Sequence, residues 1–251
     1  MKLAIITAYP PSKITLNEYA YHLVKQFRQK ELITELILLT DVTEGSKNLD
    51  FVEQGCKVTV KECWSFNSYG NILSVNKAIN QTRPNSILFN LQFMKFGDKK
   101  IPAAMGLLLP LICKIKRIPT IVLLHNILEE VDLKKTGFTS NKLMQNMYLF
   151  IGSILTMLIL KADVVVVTMR KYVDVLEKKY NAKNVMAIPH GTFEVLKKPT
   201  FNLPKGALKI MTFGKFGTYK KVDLLIEAVQ IVRKKTKLDL EIVIAGTNHP
   251  N

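Results

Sequence analysis

The segment Thr212-Phe213-Gly214-Lys215-Phe216-Gly217-Thr218-Tyr219-Lys220-Lys221 places two glycines and two well-spaced cations between a strand-like run and a helix-like one. Gly214 and Gly217 give backbone freedom, and Lys215 and Lys220 put positive charge near a helix N-terminus, which is a diphosphate site in outline. The spacing is neither the dinucleotide Gly-x-Gly-x-x-Gly nor a Walker A loop, and on charge alone the same residues read as a basic surface turn. His125 follows an apolar run and opens a polar loop, Asn126 to Asp132. At the carboxyl end of a strand it is placed to hydrogen-bond a sugar hydroxyl or orient a leaving group. Standing alone, the signal is weak, because a surface-loop histidine is usually inert. Glu129, Glu130 and Asp132 beside it read as a solvated face.

A third segment, Tyr9 to Tyr19, joins the first strand to the first helix. Thr15 followed three residues later by Glu18 is a capping-box pattern, which predicts a helix start at Leu16. An uncapped helix amine end attracts phosphate, so Ser12, Ile14 and Thr15 either approach a nucleotide diphosphate or its sugar, or belong to a plain capped turn.

Positioning these loops requires a sheet. Short β-branched runs recur at Leu3–Ile6, Leu36–Leu39, Ser86–Phe89, Thr120–Leu124 and Val164–Val167, and continuous apolar strands imply a sheet covered on both faces. Helix-length segments lie between them at Leu16–Lys30, Ile101–Lys116, Asn141–Lys161 and Tyr172–Tyr180. This alternation argues a doubly wound, parallel α/β sheet, whose ligand crevice lies beyond the carboxyl ends of the strands. A strand-like Asn184–Ile188 ends in Pro189-His190-Gly191, and prolines and glycine then run without apolar periodicity, a linker signal. The pattern restarts with Leu208–Phe213, a helix carrying Leu225, Ala228, Val229 and Val232 on one face, and Leu240–Ala245. The expected domains are 1–191, a linker over 192–207, and the first βαβ of a second Rossmann-like domain over 208–251. One βαβ unit cannot bury a core like that of a whole domain, so the expectation is a truncated or split chain, completed in the second case by a partner chain.

Composition bounds the reading. The chain has 251 residues, 48% hydrophobic and 22% charged, which is the balance of a globular protein with a sizeable core. A net charge of +16 favours anionic partners: nucleotide diphosphates, acidic lipid surfaces or nucleic acid. No aromatic base-stacking platform accompanies the scattered cations, which places nucleic acid last. Cys56, Cys63 and Cys113 lack Cys-x-x-Cys spacing, so reduced, packed thiols are expected and no zinc site is suggested. The apolar start Leu3–Ala8 is shorter than a signal peptide's core, which reads as a first strand in a cytoplasmic protein. Ala103–Cys113 and Met147–Leu160 fall short of a bilayer span and read as buried helices, with interfacial contact beside Lys114, Lys116, Arg117, Lys134 and Lys135 as the alternative.

Taken in order, Tyr9-Pro10-Pro11, His125-Asn126, Ala162-Asp163 before the valine run, Ile188-Pro189-His190-Gly191, Thr212–Lys221 leading into Asp223–Ala228, and Ile244-Ala245-Gly246 resemble the family-4 glycosyltransferases of the two-Rossmann-domain, GT-B type. The resemblance spans the family's acceptor-side domain and the first βαβ of its donor-side domain. It implies a retaining transfer from a nucleotide-diphosphate sugar to a glycan or lipid-linked acceptor, in a cleft between domains, with no metal and no further cofactor. Polysaccharide or glycolipid assembly at the cytoplasmic membrane face goes with it. By the same resemblance Lys215 stands where the family usually has Arg, and Lys220 matches its Lys. Both would neutralise the donor phosphates. His125 matches the sugar-contacting histidine, and Gly191 falls at the domain junction.

The departures are Lys221 for a glycine, Ile14 for a glycine in the first loop, and Lys215 for Arg, which loses the bidentate fork. The family's Glu-x(seven)-Glu motif lies beyond Asn251, so this form is expected to have little transferase activity by itself. Two other functions stand beside this one: a non-catalytic or split-enzyme binding module, and a nucleotide-sugar epimerase on the same architecture.

Overall fold

The computed structural model describes residues 1–43, 55–130, 141–191, 205–216 and 220–248, without the side chains of Lys215 and Asn248. Seven parallel strands form the main sheet: β1 (Lys2–Ile6), β2 (Glu35–Asp41), β3 (Lys57–Trp64), β4 (Ser86–Leu91), β5 (Thr120–Leu124), β6 (Val164–Val167) and β7 (Val185–Ala187). Their order is β3-β2-β1-β4-β5-β6-β7, all in parallel register. This is the doubly wound α/β architecture that the apolar strands predict. Alternate residues of β1 serve different cores, Ala4 and Ile6 on one face with Phe89 and Val122, Leu3 and Ile5 on the other with Leu36 and Val24. Double coverage is why these strands read as unbroken apolar runs.

The helices are α1 (Asn17–Phe27), α2 (Asn71–Thr82), α3 (Lys100–Gly106), α4 (Leu109–Ile115), α5 (Lys142–Ile159) and α6 (Arg170–Tyr180). Two elements, β3 and α2, carry no clean signal in sequence. β3 alternates Val58 and Val60 with Lys57, Thr59 and Lys61 and lies at the sheet edge, half-buried along most of its length. The single helix expected over Ile101–Lys116 is instead two short ones, with Pro110 in the first turn of α4, where its missing N–H costs nothing.

The expected capping box is absent. Leu16, at φ 73°, is the N-cap of α1 and offers no side-chain bond, and the helix begins at Asn17. Asn17 supplies the first-turn contacts: Oδ1 accepts from the Glu18 amide at 2.6 Å, and Nδ2 donates to the Ser12 carbonyl. Asp163 acts structurally, pairing with the Lys114 ammonium and accepting the Thr120 amide at 2.8 Å. Its carboxyl is held low by the Lys114 hydrogen bond first and the Thr120 amide second.

The described residues divide into two compact units, the second beginning after Gly191. It consists of β8 (Leu208–Phe216), α7 (Val222–Lys235) and β9 (Leu240–Asn248), with β8 and β9 paired in parallel. Of the four apolar α7 positions expected on one face, Val229 is buried while Ala228 and Val232 are exposed. Most of the predicted linker, 192–204, lies outside the described residues.

Candidate functional site at the switch point of the sheet

In this strand order the winding reverses between β1 and β4, and the crevice beyond their carboxyl ends is where a doubly wound sheet receives a ligand. Residues from five strand ends converge there. Asn90, a lone amide in the apolar strand β4, is fully buried and bridges the switch point: its Nδ2 donates to Thr7 Oγ1 at 2.9 Å, just past β1. Thr7 Oγ1 in turn donates to the Ala8 carbonyl at 2.8 Å, so it can only accept from Asn90. That direction fixes the Asn90 amide with its oxygen towards His125, whose Nε2 lies 2.6 Å from Oδ1. His125 therefore carries its proton on Nε2, and Nδ1 is a bare acceptor.

Nδ1 is buried and has no hydrogen-bond partner among the described residues. Burial, then the charges of His190 and Lys95, push the imidazole down to about 4, so it stays neutral at physiological pH. Tyr19 of α1 meets His125 edge-on at 4.7 Å between ring centroids, and His190, beyond β7, stacks on it at 5.1 Å and 22°. Tyr19 also meets His190 edge-on at 5.3 Å, completing a three-ring cluster. Its hydroxyl is raised above the ordinary tyrosine range by burial.

Beneath the loop after β1, buried Asp41 at the end of β2 accepts from Ser12 Oγ at 2.6 Å. Ser12 Oγ also receives the Ile14 amide at 3.1 Å. The Pro10-Pro11 peptide bond is cis. Lys95, two residues past Phe93 in the turn after β4, is fully buried and donates to the Thr15 carbonyl at 3.2 Å.

The structure thus brings His125, Ser12, Ile14 and Thr15 to one end of one sheet. Ser12 and Ile14 face inward, whereas Thr15 offers its backbone. Asn90, Thr7, Asp41, Lys95 and Tyr19 were not singled out from sequence. The signal for Asn90 was there to find, since one amide inside Ser86–Leu91 has to be satisfied by something specific.

The acids after His125 are not a solvated face. Glu129, in a short 3-10 turn over Leu128–Glu130, keeps its side chain 5% exposed, pairs with Lys179 at 3.6 Å and accepts the Tyr180 hydroxyl. Glu130 pairs with Lys171. Both bind the turn to α6. Asp132 lies outside the described residues.

The expected glycine loop of the second unit begins later than predicted. Gly214, Lys215 and Phe216 continue β8, in register with Gly246, Thr247 and Asn248. Gly214, at φ 131°, sits beneath the Lys220 ammonium, whose Nζ is 3.8 Å from where a Cβ on Gly214 would stand. Gly217 and the Lys215 side chain lie outside the described residues. The thiols are free; burial pushes Cys63 and Cys113 up to about 12, which leaves them inert packing groups.

No family model matches the chain, and no curated protein matches it. Among solved structures it is similar to the crystal structure of Acinetobacter baumannii MurG, with 13% sequence identity and a TM-score of 0.40. That likeness covers 97% of this chain and 66% of the other, so the chain spans a little under two thirds of its length.

Proposed function

We propose that residues 1–191 are the acceptor-side domain, and 208–251 the start of the donor-side domain, of a nucleotide-sugar-dependent glycosyltransferase of the GT-B, family-4 kind. The reaction is transfer of a sugar, with retention, from a nucleotide-diphosphate donor to a glycan or lipid-linked acceptor. The observation that carries this reading is the bare, neutral Nδ1 of His125 at the switch point, held by the Thr7–Asn90 relay. A neutral imidazole acceptor suits a hydroxyl rather than a phosphate, and the His190 ring stacked on it is itself exposed. Lys215 and Lys220 take the diphosphate, each as a charge-assisted contact worth about 1.5–3 kcal/mol, so alanine at either position should weaken donor binding about 10- to 150-fold in a chain carrying the whole donor domain.

Saturation-transfer NMR with a panel of nucleoside-diphosphate sugars tests the reading. Saturation is expected on the sugar ring, and His125→Ala should weaken the nucleotide sugar about 3- to 10-fold while leaving the bare nucleoside diphosphate unchanged. Binding of acceptor glycans without any nucleotide sugar would favour the non-catalytic module instead.

Association with an anionic membrane face is part of the proposal, and α5 supports it. Met147–Leu160 is not the buried helix that its sequence suggests. Of α5 only Gly152, Thr156 and Ile159 are buried, while Leu143 is 77% and Phe150 67% exposed, with Met147, Leu149, Ile151, Ile154 and Met157 also at the surface. By length and composition α5 is long and apolar enough to cross a bilayer. Lys142 and Lys161 flank its two ends, where their ammonium groups can reach acidic headgroups while the exposed apolar side chains enter the interface. Flotation with liposomes containing anionic lipid should carry the protein to the top fraction, and Phe150→Glu should leave it at the bottom. Equal flotation of both proteins would dismiss this role for α5.

A further inference from the structure

The loop between β1 and α1 is held from below by two buried groups of opposite charge. Asp41 holds Ser12 through the 2.6 Å hydroxyl bond, and its other oxygen, Oδ1, has no partner among the described residues. Lys95 holds Thr15, with its ammonium 5.4 Å from the centroid of the Trp64 ring on β3. Between these anchors Ile14 packs against the core, and Thr15 is held through its carbonyl. The capping box is absent, Leu16 enters the helix at φ 73°, and the Thr15 side chain is exposed. Without the grip on the Thr15 carbonyl, the Leu16 turn is set by Ser12, Asn17 and the Ala20 amide that donates to the Leu16 carbonyl at 2.9 Å.

We propose that Lys95 is the positioning residue of the β1–α1 loop, and that its proton is a switch: a charged Nζ clamps the Thr15 carbonyl, and a neutral one releases its grip. A neutral amine keeps an N–H to donate but loses the charge-assisted part of the bond and the attraction to the Trp64 face. Burial brings the Lys95 ammonium down to about 7, against the opposing pull of Asp41. Among the described residues, the groups that face it are few. Asp41, itself raised by burial, lies at the end of β2, with Glu62 of β3 acting on it. His125, beyond β5, stays neutral because of burial, His190 and Lys95. The proposed switch therefore stands on the buried Lys95–Thr15 contact, with burial setting the direction in which its proton is lost. Its consequence for sugar binding, tighter below neutrality and looser above, rests on the proposed function; the switch itself does not.

The test uses the intact chain. Lysine side-chain NMR, assigned by loss of the resonance in Lys95→Met, is expected to show Lys95 titrating between pH 6 and 8.5. Over the same range, hydrogen exchange at the Ser12, Ile14 and Glu18 amides, corrected for intrinsic rates, should become at least tenfold faster. Lys95→Arg, which keeps its charge, should hold the loop protected at both ends of the range. Global stability should move the other way, because the unfolded chain binds the Lys95 proton more tightly between about 7 and the ordinary lysine value, so stability rises with pH there. A flat exchange profile, a Lys95 titration left near the ordinary lysine value, or a Lys95→Arg protein that loosens like the parent would each overturn the proposal. Should Lys95→Met fail to fold, Lys95→Arg and the parent titration carry the test. A loop that switches while nucleotide-sugar affinity stays constant with pH would sink only the functional consequence.

Discussion

Gly246→Ala is expected to abolish the pairing of β8 with β9 while leaving the seven-stranded sheet intact. Gly246 sits at φ 155°, directly opposite Gly214, another positive-φ glycine, and a Cβ there would stand 1.9 Å from the Gly214 carbonyl oxygen and 2.8 Å from the Phe216 ring. The obstacle is backbone, so no side-chain rotation relieves it. Strain of about 1–3 kcal/mol from the backbone conformation adds to about 1–3 kcal/mol from overpacking. A two-stranded sheet backed by one helix has little stability to lose. Hydrogen exchange would show the amides of 208–216 and 240–248 unprotected in the variant, with those of β1 and β4 unchanged. Full protection of β9 in Gly246→Ala would mean that the two strands do not approach as closely as they do here.

Asn90→Asp is expected to convert His125 from a neutral acceptor to a cation. A carboxylate in place of the amide oxygen 2.6 Å from Nε2 favours the imidazolium, so the titration should move from about 4 to above the ordinary histidine value, inverting Nδ1 from acceptor to donor. Asn90→Leu asks a different question. It leaves the buried Nε2–H without an acceptor, at a cost of about 1–3 kcal/mol in stability.

The parent chain has its own signature at this site. The folded His125 value lies below its ordinary one, so the unfolded chain takes up the proton first as pH falls from 6.5 to about 4, and stability drops across that window by up to about 3 kcal/mol. His125→Gln should remove that acid slope. Histidine NMR titration and urea unfolding at pH 7 and pH 4.5 would check these expectations, and an Asn90→Asp protein whose His125 still titrates near 4 would break the relay.

The sheet was legible because its central strands are buried on both faces, so Leu3–Ile6 and Thr120–Leu124 announce themselves without knowledge of their neighbours. β3 was not, because an edge strand alternates and its lysines resemble a loop. His125 was legible by its place at a strand end. Its chemistry was not, since the proton position depends on Thr7 and Asn90, which stand 118 and 35 residues away in the chain and meet only once β1 and β4 pair. The Thr15–Glu18 spacing misled because capping depends on backbone angles as well as residue types, and Leu16 turns left-handed between the two. The apolar run in α5 misled in the opposite sense: apolarity marks a surface to be covered, without saying by what.

In the proposed function a neutral His125, protonated on Nε2, offers Nδ1 to a hydroxyl of a nucleotide sugar. Nitrogen-15 NMR of histidine-labelled protein reads both ring nitrogens directly. A protonated Nε2 and a bare Nδ1 are expected from pH 5 to 8, with the Nδ1 resonance moving as a nucleoside-diphosphate sugar is added and staying still with the nucleoside diphosphate alone. A proton on Nδ1, or a nucleotide sugar that binds without disturbing His125, would contradict it.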